Sequence, residues 1–450
     1  MSRGYQASIV KIPAKPFIST WNTAITYTGS TANNQIKLPL ISTGVYKFTV
    51  DWGDSTSDDI TTWNQAEVTH TYGTSGNYTV TITGFIKGWD FSGFALTVPA
   101  LTGDRRKLLS IVQFGCLELV TYTNTATQVG AFYGCTNLSL INVQDQPNFK
   151  NCTSIAGFLW GSSGITAVAN INKWDVSKVT FFRSSLRELP LFNDNVGNWN
   201  MSRAINLGNM FRGSITVAPY GTFNNGGSDS IKNWDTSNVT DMAVMFGSQP
   251  DFNQEIGLWD VSNVTTFTSF LNTYTPVLPV TSGKFTNAGS DSIKNWNTGK
   301  VTNMNAMFSG QALFNQPIDT WDTTEVTNMS YMLQCLSFNQ PLNSWDTKKV
   351  TTMTRMLQIA TTFNQPINNW ELPLVVDMFN FMYYSDPLYI NISFDKQNYS
   401  DFLINLSGQT LQPNVSLNVN QYYNSASVAS RTILTSAPNN WTIVDLGLQP

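Results

Sequence analysis

Charge is scarce in this chain of 450 residues. Asp, Glu, Lys and Arg make up only 12% of it and leave a net charge of −4, against roughly a quarter charged residues in ordinary soluble domains. Solubility therefore rests on neutral Asn, Thr and Ser. The low charge and the lack of an extended basic run argue against nucleic acid or an anionic membrane surface as a partner. The chain has one histidine, His70, so a Ser-His-Asp, Cys-His or His-ligated metal site has almost no material; a structural role at a strand end accounts for it. No Gly-x-x-x-x-Gly-Lys-Ser/Thr phosphate loop and no dinucleotide fingerprint occurs, and no cofactor is expected. Four cysteines, Cys116, Cys135, Cys152 and Cys335, form no Cys-x-x-Cys pair and have no His nearby, which weighs against a metal site. They read as core thiols packed between repeats, with a disulfide between neighbouring repeats as the alternative. No apolar run approaches the roughly 20 residues of a membrane-spanning helix, so no membrane insertion is expected. Met1 to Pro16 contain no hydrophobic stretch of the secretory kind, so no signal peptide of that type is expected.

What is present is a recurring tryptophan. Trp174, Trp199, Trp234, Trp259, Trp296, Trp321, Trp345 and Trp370 stand 25, 35, 25, 37, 25, 24 and 25 residues apart. A period near 25 means units that cannot bury an apolar face alone and must stack on their neighbours, with these tryptophans as the repeated core. Around Trp234 the chain reads Trp-Asp-Thr-Ser-Asn-Val-Thr-Asp-Met-Ala-Val-Met-Phe, followed by Phe252-Asn-Gln-Glu-Ile. The β-branched Val-Thr pairs (Val239, Val264, Val301, Val326, Val350) predict strands of two to four residues that stack as a parallel ladder. The Met-x-x-Met-Phe spacing (Met242, Met245, Phe246; Met304, Met307, Phe308) predicts one helical turn facing the core. Pro317, Pro341 and Pro366 in the Phe-Asn-Gln-Pro segments force an extended return.

These residues resemble the repeats of BspA-like leucine-rich-repeat surface proteins, and near-identical copies span about half the chain. Upstream, Ala131-Phe-Tyr-Gly-Cys-Thr-Asn-Leu-Ser-Leu-Ile141 resembles the shorter repeat of that family. The resemblance implies a leucine-rich-repeat-type solenoid of short parallel strands and helical turns. Further upstream, Val50-Asp-Trp-Gly-Asp54, His70-Thr-Tyr72 and Gly76-Asn-Tyr-Thr-Val80 resemble a PKD-type, Ig-like domain, which implies a spacer or adhesion module. The alternation in Val45–Trp52 and Tyr78–Thr83 independently suggests a β-sandwich. Tyr399-Ser-Asp-Phe-Leu403, Ala429-Ser-Arg-Thr-Ile-Leu434 and Asn440-Trp-Thr-Ile-Val-Asp445 resemble a C-terminal α/β cap, with its helix at Ala426 to Thr435. The fold class expected is thus β-rich, in four parts: a tail and possible anchor at 1–16, an Ig-like sandwich at 17–92, the solenoid at 93–398 and the cap at 399–450.

The units before Trp234 and Trp296 carry about ten extra residues each and resemble one another: Phe223-Asn-Asn-Gly-Gly-Ser-Asp-Ser-Ile-Lys-Asn and Phe285-Thr-Asn-Ala-Gly-Ser-Asp-Ser-Ile-Lys-Asn. These insertions are the best candidate for a binding feature, although ordinary loop variation is the preferred reading of them. Tyr220, Phe223, Tyr274 and Phe285, in or beside them, are the candidate ligand-binding residues, because an exposed aromatic face stacks on a sugar ring or anchors a protein contact. Asp51, Asp54, Asp58 and Asp59 are weak candidate Ca²⁺ ligands; turn-capping carboxylates are the preferred reading. Asp175, Asp235, Asp260, Asp322 and Asp346 form a ladder of acids that a carboxylate-pair glycosidase would need; an Asx turn opening each strand explains a repeated acid better. The reading that follows is a non-enzymatic recognition protein, a phage virion appendage that binds a host-surface glycan or protein and meets other virion proteins through its N-terminal segment. A bacterial cell-surface adhesin and a purely structural virion decoration are the alternatives.

Overall fold

The computed structural model describes residues 15–91, 103–120, 130–215, 220–273, 282–383 and 392–449. Eight strands precede the tryptophan repeats: β1 (Phe17–Asn22), β2 (Gln35–Lys37), β3 (Leu40–Asp51), β4 (Ser57–Ile60), β5 (Thr69–Thr71), β6 (Asn77–Trp89), β7 (Leu108–Gln113) and β8 (Leu117–Glu118). Strict alternation in β1 turns Phe17, Ser19 and Trp21 inward, which is the period-2 pattern of a strand with one covered face. Strands β4, β3, β6, β1 and β7 lie in that order in one antiparallel sheet, β8 joins β6 in parallel, and β2 pairs with β5 in a separate antiparallel ribbon. Trp21, Trp52, Trp89 and Tyr72 fill the space between them.

Strand β7 links this sheet to the repeats. It pairs with β1 on one side, while Ser110 bridges in parallel to Ser139 of the first turn of the repeats. From there single parallel bridges climb the chain, Ser154 to Phe181, Asn206, Asp241, Thr266, Asn303, Asn328, Thr352 and Asp377. One continuous apolar core runs from Phe17 to Trp441. All eight repeated tryptophans lie in it, none more than 4% exposed. Trp174 stacks on Trp199, Trp234 on Trp259 and Trp296 on Trp321, at 5.8 to 6.0 Å between ring centres. A second column runs beside it through Phe192, Phe223, Phe252, Phe285, Phe314, Phe338, Phe363 and Phe394, each ring 5.9 to 6.3 Å from the next. The four thiols are free and buried. Burial pushes the Cys152 thiol up to about 11, so it stays protonated and apolar.

The expected leucine-rich-repeat-type solenoid of parallel strands and helical turns is not what these repeats build. The regular sheets of the described residues are chiefly the antiparallel ones at the N-terminal end, and the repeats meet through isolated bridges instead of a strand ladder. The Val-Thr segments form no strands, and Met242–Phe246 is not helical. The reason lies in the backbone of the Met-x-x-Met-Phe segment. Val244 sits at φ 59°, and Ser269, Ala306, Tyr331 and Arg355 occupy the same left-handed region in the following units, which no α-helix accommodates. Alternate amides then point in two directions. Met245 and Gly247 donate three residues back, to Met242 and Val244, whereas Val244, Phe246 and Ser248 donate to Thr268, Phe270 and Asn272 of the next repeat, at 2.8 to 2.9 Å. Met242, Met245 and Phe246 are still fully buried, because this turn and a helix present the same i, i+3, i+4 face.

The one small parallel sheet closes the far end. Strand β9 (Met378–Met382) grows out of the last repeat, β10 (Ser416–Val419) pairs with it, and β11 (Thr442–Val444) forms the edge. Helices α1 (Lys396–Ser407) and α2 (Val428–Thr435) accompany the sheet. Asp395 caps α1 by accepting from the Asn398 amide at 2.7 Å, and Asp445 ties the two helices by accepting from Tyr399 and Arg431.

Trp321 is 3% exposed, stacks on Trp296 and donates its indole N–H to the Ile293 carbonyl at 2.9 Å. Trp321→Ala should cost about 3–5 kcal/mol, the usual loss for a large buried ring. Thermal unfolding followed by circular dichroism checks this; an unchanged melting curve would contradict the stack.

Candidate binding face

The two insertions leave the stack at the same place in their units, after Phe211 and after Phe270–Leu271, and return at Phe223 and Phe285. One buried glutamine of the following repeat holds each closed. Gln249 donates to the Phe211 carbonyl at 2.5 Å and accepts from the Phe223 amide at 2.9 Å; Gln311 does the same between Leu271 and Phe285, at 2.6 and 3.0 Å. Gly221 and Gly283 make room for these side chains, since a Cβ on either would lie 2.2 Å from the glutamine oxygen. The Gly-Ser-Asp-Ser portion does not bulge. Asn225 donates to the Ser228 carbonyl and accepts from Val196 of the preceding repeat, and Asn287 repeats the arrangement with Ser290 and Ile256.

Two of the four candidate aromatics are misplaced by the sequence reading. Phe223 and Phe285 are 1% and 0% exposed and belong to the phenylalanine column as the counterparts of Phe252 and Phe314, so neither can face a ligand. Tyr220 is half-buried in the neck of the first insertion, where its carbonyl accepts from Ser214 at 2.5 Å. Tyr274 lies outside the described residues.

The acidic candidates are occupied individually. Asp51 accepts from Gly53, Asp58 from the Trp52 indole and Asp59 from Thr49, so each of these carboxylates is engaged in a bond of its own. Among the described residues no group of three His, Cys, Asp or Glu side chains stands close enough to hold a metal. Asp54 pairs with His70 at 2.9 Å, and the imidazole stacks on Trp52 at 4.7 Å. Burial acts to raise the Asp54 pKa, but hydrogen bonds from Thr56 and His70 outweigh it and hold the carboxyl below its usual range. The acid ladder consists of Asx turns: Asp175, Asp235, Asp260, Asp322 and Asp346 each accept from the amide two residues on, at 2.9 to 3.1 Å. Asn200 and Asn297 make the same bond in two further units, at 3.1 and 3.3 Å. A position that works equally with an amide requires no acid.

One surface feature escaped the sequence reading. Tyr133, Trp160, Arg187 and Arg212 occupy the same place in four consecutive turns. The amide after each donates to the backbone carbonyl at that place in the next turn: Gly134 to Trp160, Gly161 to Arg187, Glu188 to Arg212 and Gly213 to Gly247, at 2.7 to 2.9 Å. All four side chains are half-buried, and the first insertion begins directly after the last of them. Each follows a buried core residue, Phe132, Leu159, Leu186 or Phe211; aligning the units on that core residue would have revealed the stripe.

Hydrogen bonds from the Thr324 hydroxyl and amide hold the Asp322 carboxyl below its usual range. A depressed carboxyl stabilises the fold above its unfolded value near 4, and that contribution is lost as pH falls through the folded value. Asp322→Asn should therefore leave neutral-pH stability within about 0.5 kcal/mol, as for most surface changes, while flattening the acid limb of a melting-temperature profile. A severe loss at neutral pH would show that the charge itself matters.

Compared with known families, residues 219–277 and 281–393 match the model of a family described as a Mycoplasma protein of unknown function, DUF285. No curated protein matches the chain, and no solved structure does.

Proposed function

We propose that this is a non-enzymatic recognition protein whose stacked repeats present the face carrying the two insertions to a partner on a cell or virion surface. The observation that carries this reading is the pair of buried glutamines, Gln249 and Gln311, each spent on holding the two ends of an insertion together. Plain loop variation would not need a dedicated buried side chain, whose unsatisfied amide would otherwise cost about 1–3 kcal/mol. A rigid base under a variable loop is the arrangement by which scaffolds position binding residues. The absence of any need for acid at the Asx positions, and the engagement of His70 with Asp54, favour recognition over hydrolysis.

The test replaces residues 213–222 by the short connection of the Trp234 unit, Ser248–Asp251, and 273–284 likewise, keeping Arg212, and measures binding of the labelled protein to intact bacteria and to purified phage. Binding should fall while the melting temperature changes by only a few degrees, since the core columns are untouched. Full binding by the double replacement would refute the assignment.

A further inference from the structure

We propose that the stripe of Trp160, Arg187 and Arg212, with Tyr133 at its end, binds a carboxylate-bearing saccharide. The proposal deepens the recognition reading, on which it rests for the display of this face, by naming a ligand class.

The Arg187 guanidinium carbon lies 4.2 Å from the centre of the Trp160 ring, and Tyr133 meets that ring edge-on at 5.2 Å. Arg187 spends its Nε and one terminal nitrogen on Glu188, at 2.9 and 2.8 Å. Arg212 has no carboxylate at ion-pair distance among the described residues. The insertion that follows it, Gly213 to Thr222, contains no Asp or Glu. Two arginines thus share one carboxylate in a half-buried place, in a chain where charge is otherwise spread thinly. Burial, and then the neighbouring Arg187 charge, hold Arg212 below the ordinary arginine pKa, against the opposing charge of Glu188.

The aromatics narrow the choice of anion. A bare inorganic anion would use only the guanidinium, which matches a carboxylate through two parallel N–H donors. The half-buried Trp160 and Tyr133 rings next to Arg187 add an apolar plate of the kind on which the C–H face of a sugar packs. An acidic sugar uses both halves of the stripe at once, with the carboxylate at Arg212 and the ring toward Trp160.

The test titrates the full chain, by tryptophan fluorescence and calorimetry, with tetragalacturonate, its methyl ester, a sialylated trisaccharide and a tetraglutamate peptide. One acidic saccharide should bind, the methyl ester at least about tenfold more weakly, as expected for loss of a charge-assisted hydrogen bond. Arg212→Gln and Trp160→Ala should each weaken that saccharide by a similar factor, with Arg212→Gln leaving the melting temperature unchanged. No binding by either acidic saccharide, equal binding of the ester, full binding by Arg212→Gln, or binding of the peptide alone would overturn the proposal. Retained cell binding by Arg212→Gln alongside loss on insertion replacement would sink this ligand assignment while leaving the recognition reading intact. Retained cell binding by both would sink the two together.

Discussion

Everything in the repeats depends on the covering of each thin turn by the next. A single unit of about 25 residues offers two faces and no interior, so its apolar side chains become dry only when a neighbour lies on them. The indole supplies both parts of that contact. Its rings contribute to the tryptophan column, and its N–H must find an acceptor once buried. Trp199, Trp234, Trp259, Trp296, Trp321, Trp345 and Trp370 all donate to a backbone carbonyl of the preceding unit, at 2.7 to 3.3 Å. The bond fixes how one unit is rotated on another, which burial alone would leave loose. Trp174, the first of the series, has no such acceptor among the described residues.

The same stacking explains the low charge. A polar side chain at a repeated position meets its own copy one stacking step away, and like charges at that distance accumulate repulsion along the column. Neutral groups bond to each other instead. The backbone N–H of Asn224 donates to the Asn193 side-chain oxygen, that of Asn253 to Asn224, of Asn339 to Asn315 and of Asn364 to Asn339, at 2.6 to 2.9 Å. Where like charges do recur at one place in adjacent turns, each has its own bonds or solvent exposure, as Asp235 and Asp260 have in their Asx turns.

Much of the interior was legible in the sequence. The tryptophan period names the core ring of every unit, and the Phe-Asn-Gln motif names the second column from Phe252 onward. The backbone was less so. An apolar i, i+3, i+4 spacing belongs equally to a helix and to a turn with one left-handed residue, and Val244 gave no warning, since a β-branched side chain is an uncommon occupant of that region. Phe223 and Phe285 were assigned to the insertions because the extra residues fall on both sides of them, which hides their equivalence to Phe252 and Phe314. The Tyr133–Arg212 stripe joins residues that are far apart in the chain and differ in type, so only turn-by-turn registration brings them together.

The most direct measurement of the stacked register is hydrogen exchange at the indole N–H groups of the ¹⁵N-tryptophan-labelled protein. The account predicts that the seven donating indoles exchange slowly and as one class, since opening any of them requires two units to part. Fast exchange at Trp259, Trp321 and Trp345 would contradict it, by showing that the units do not hold one another through the bonds described.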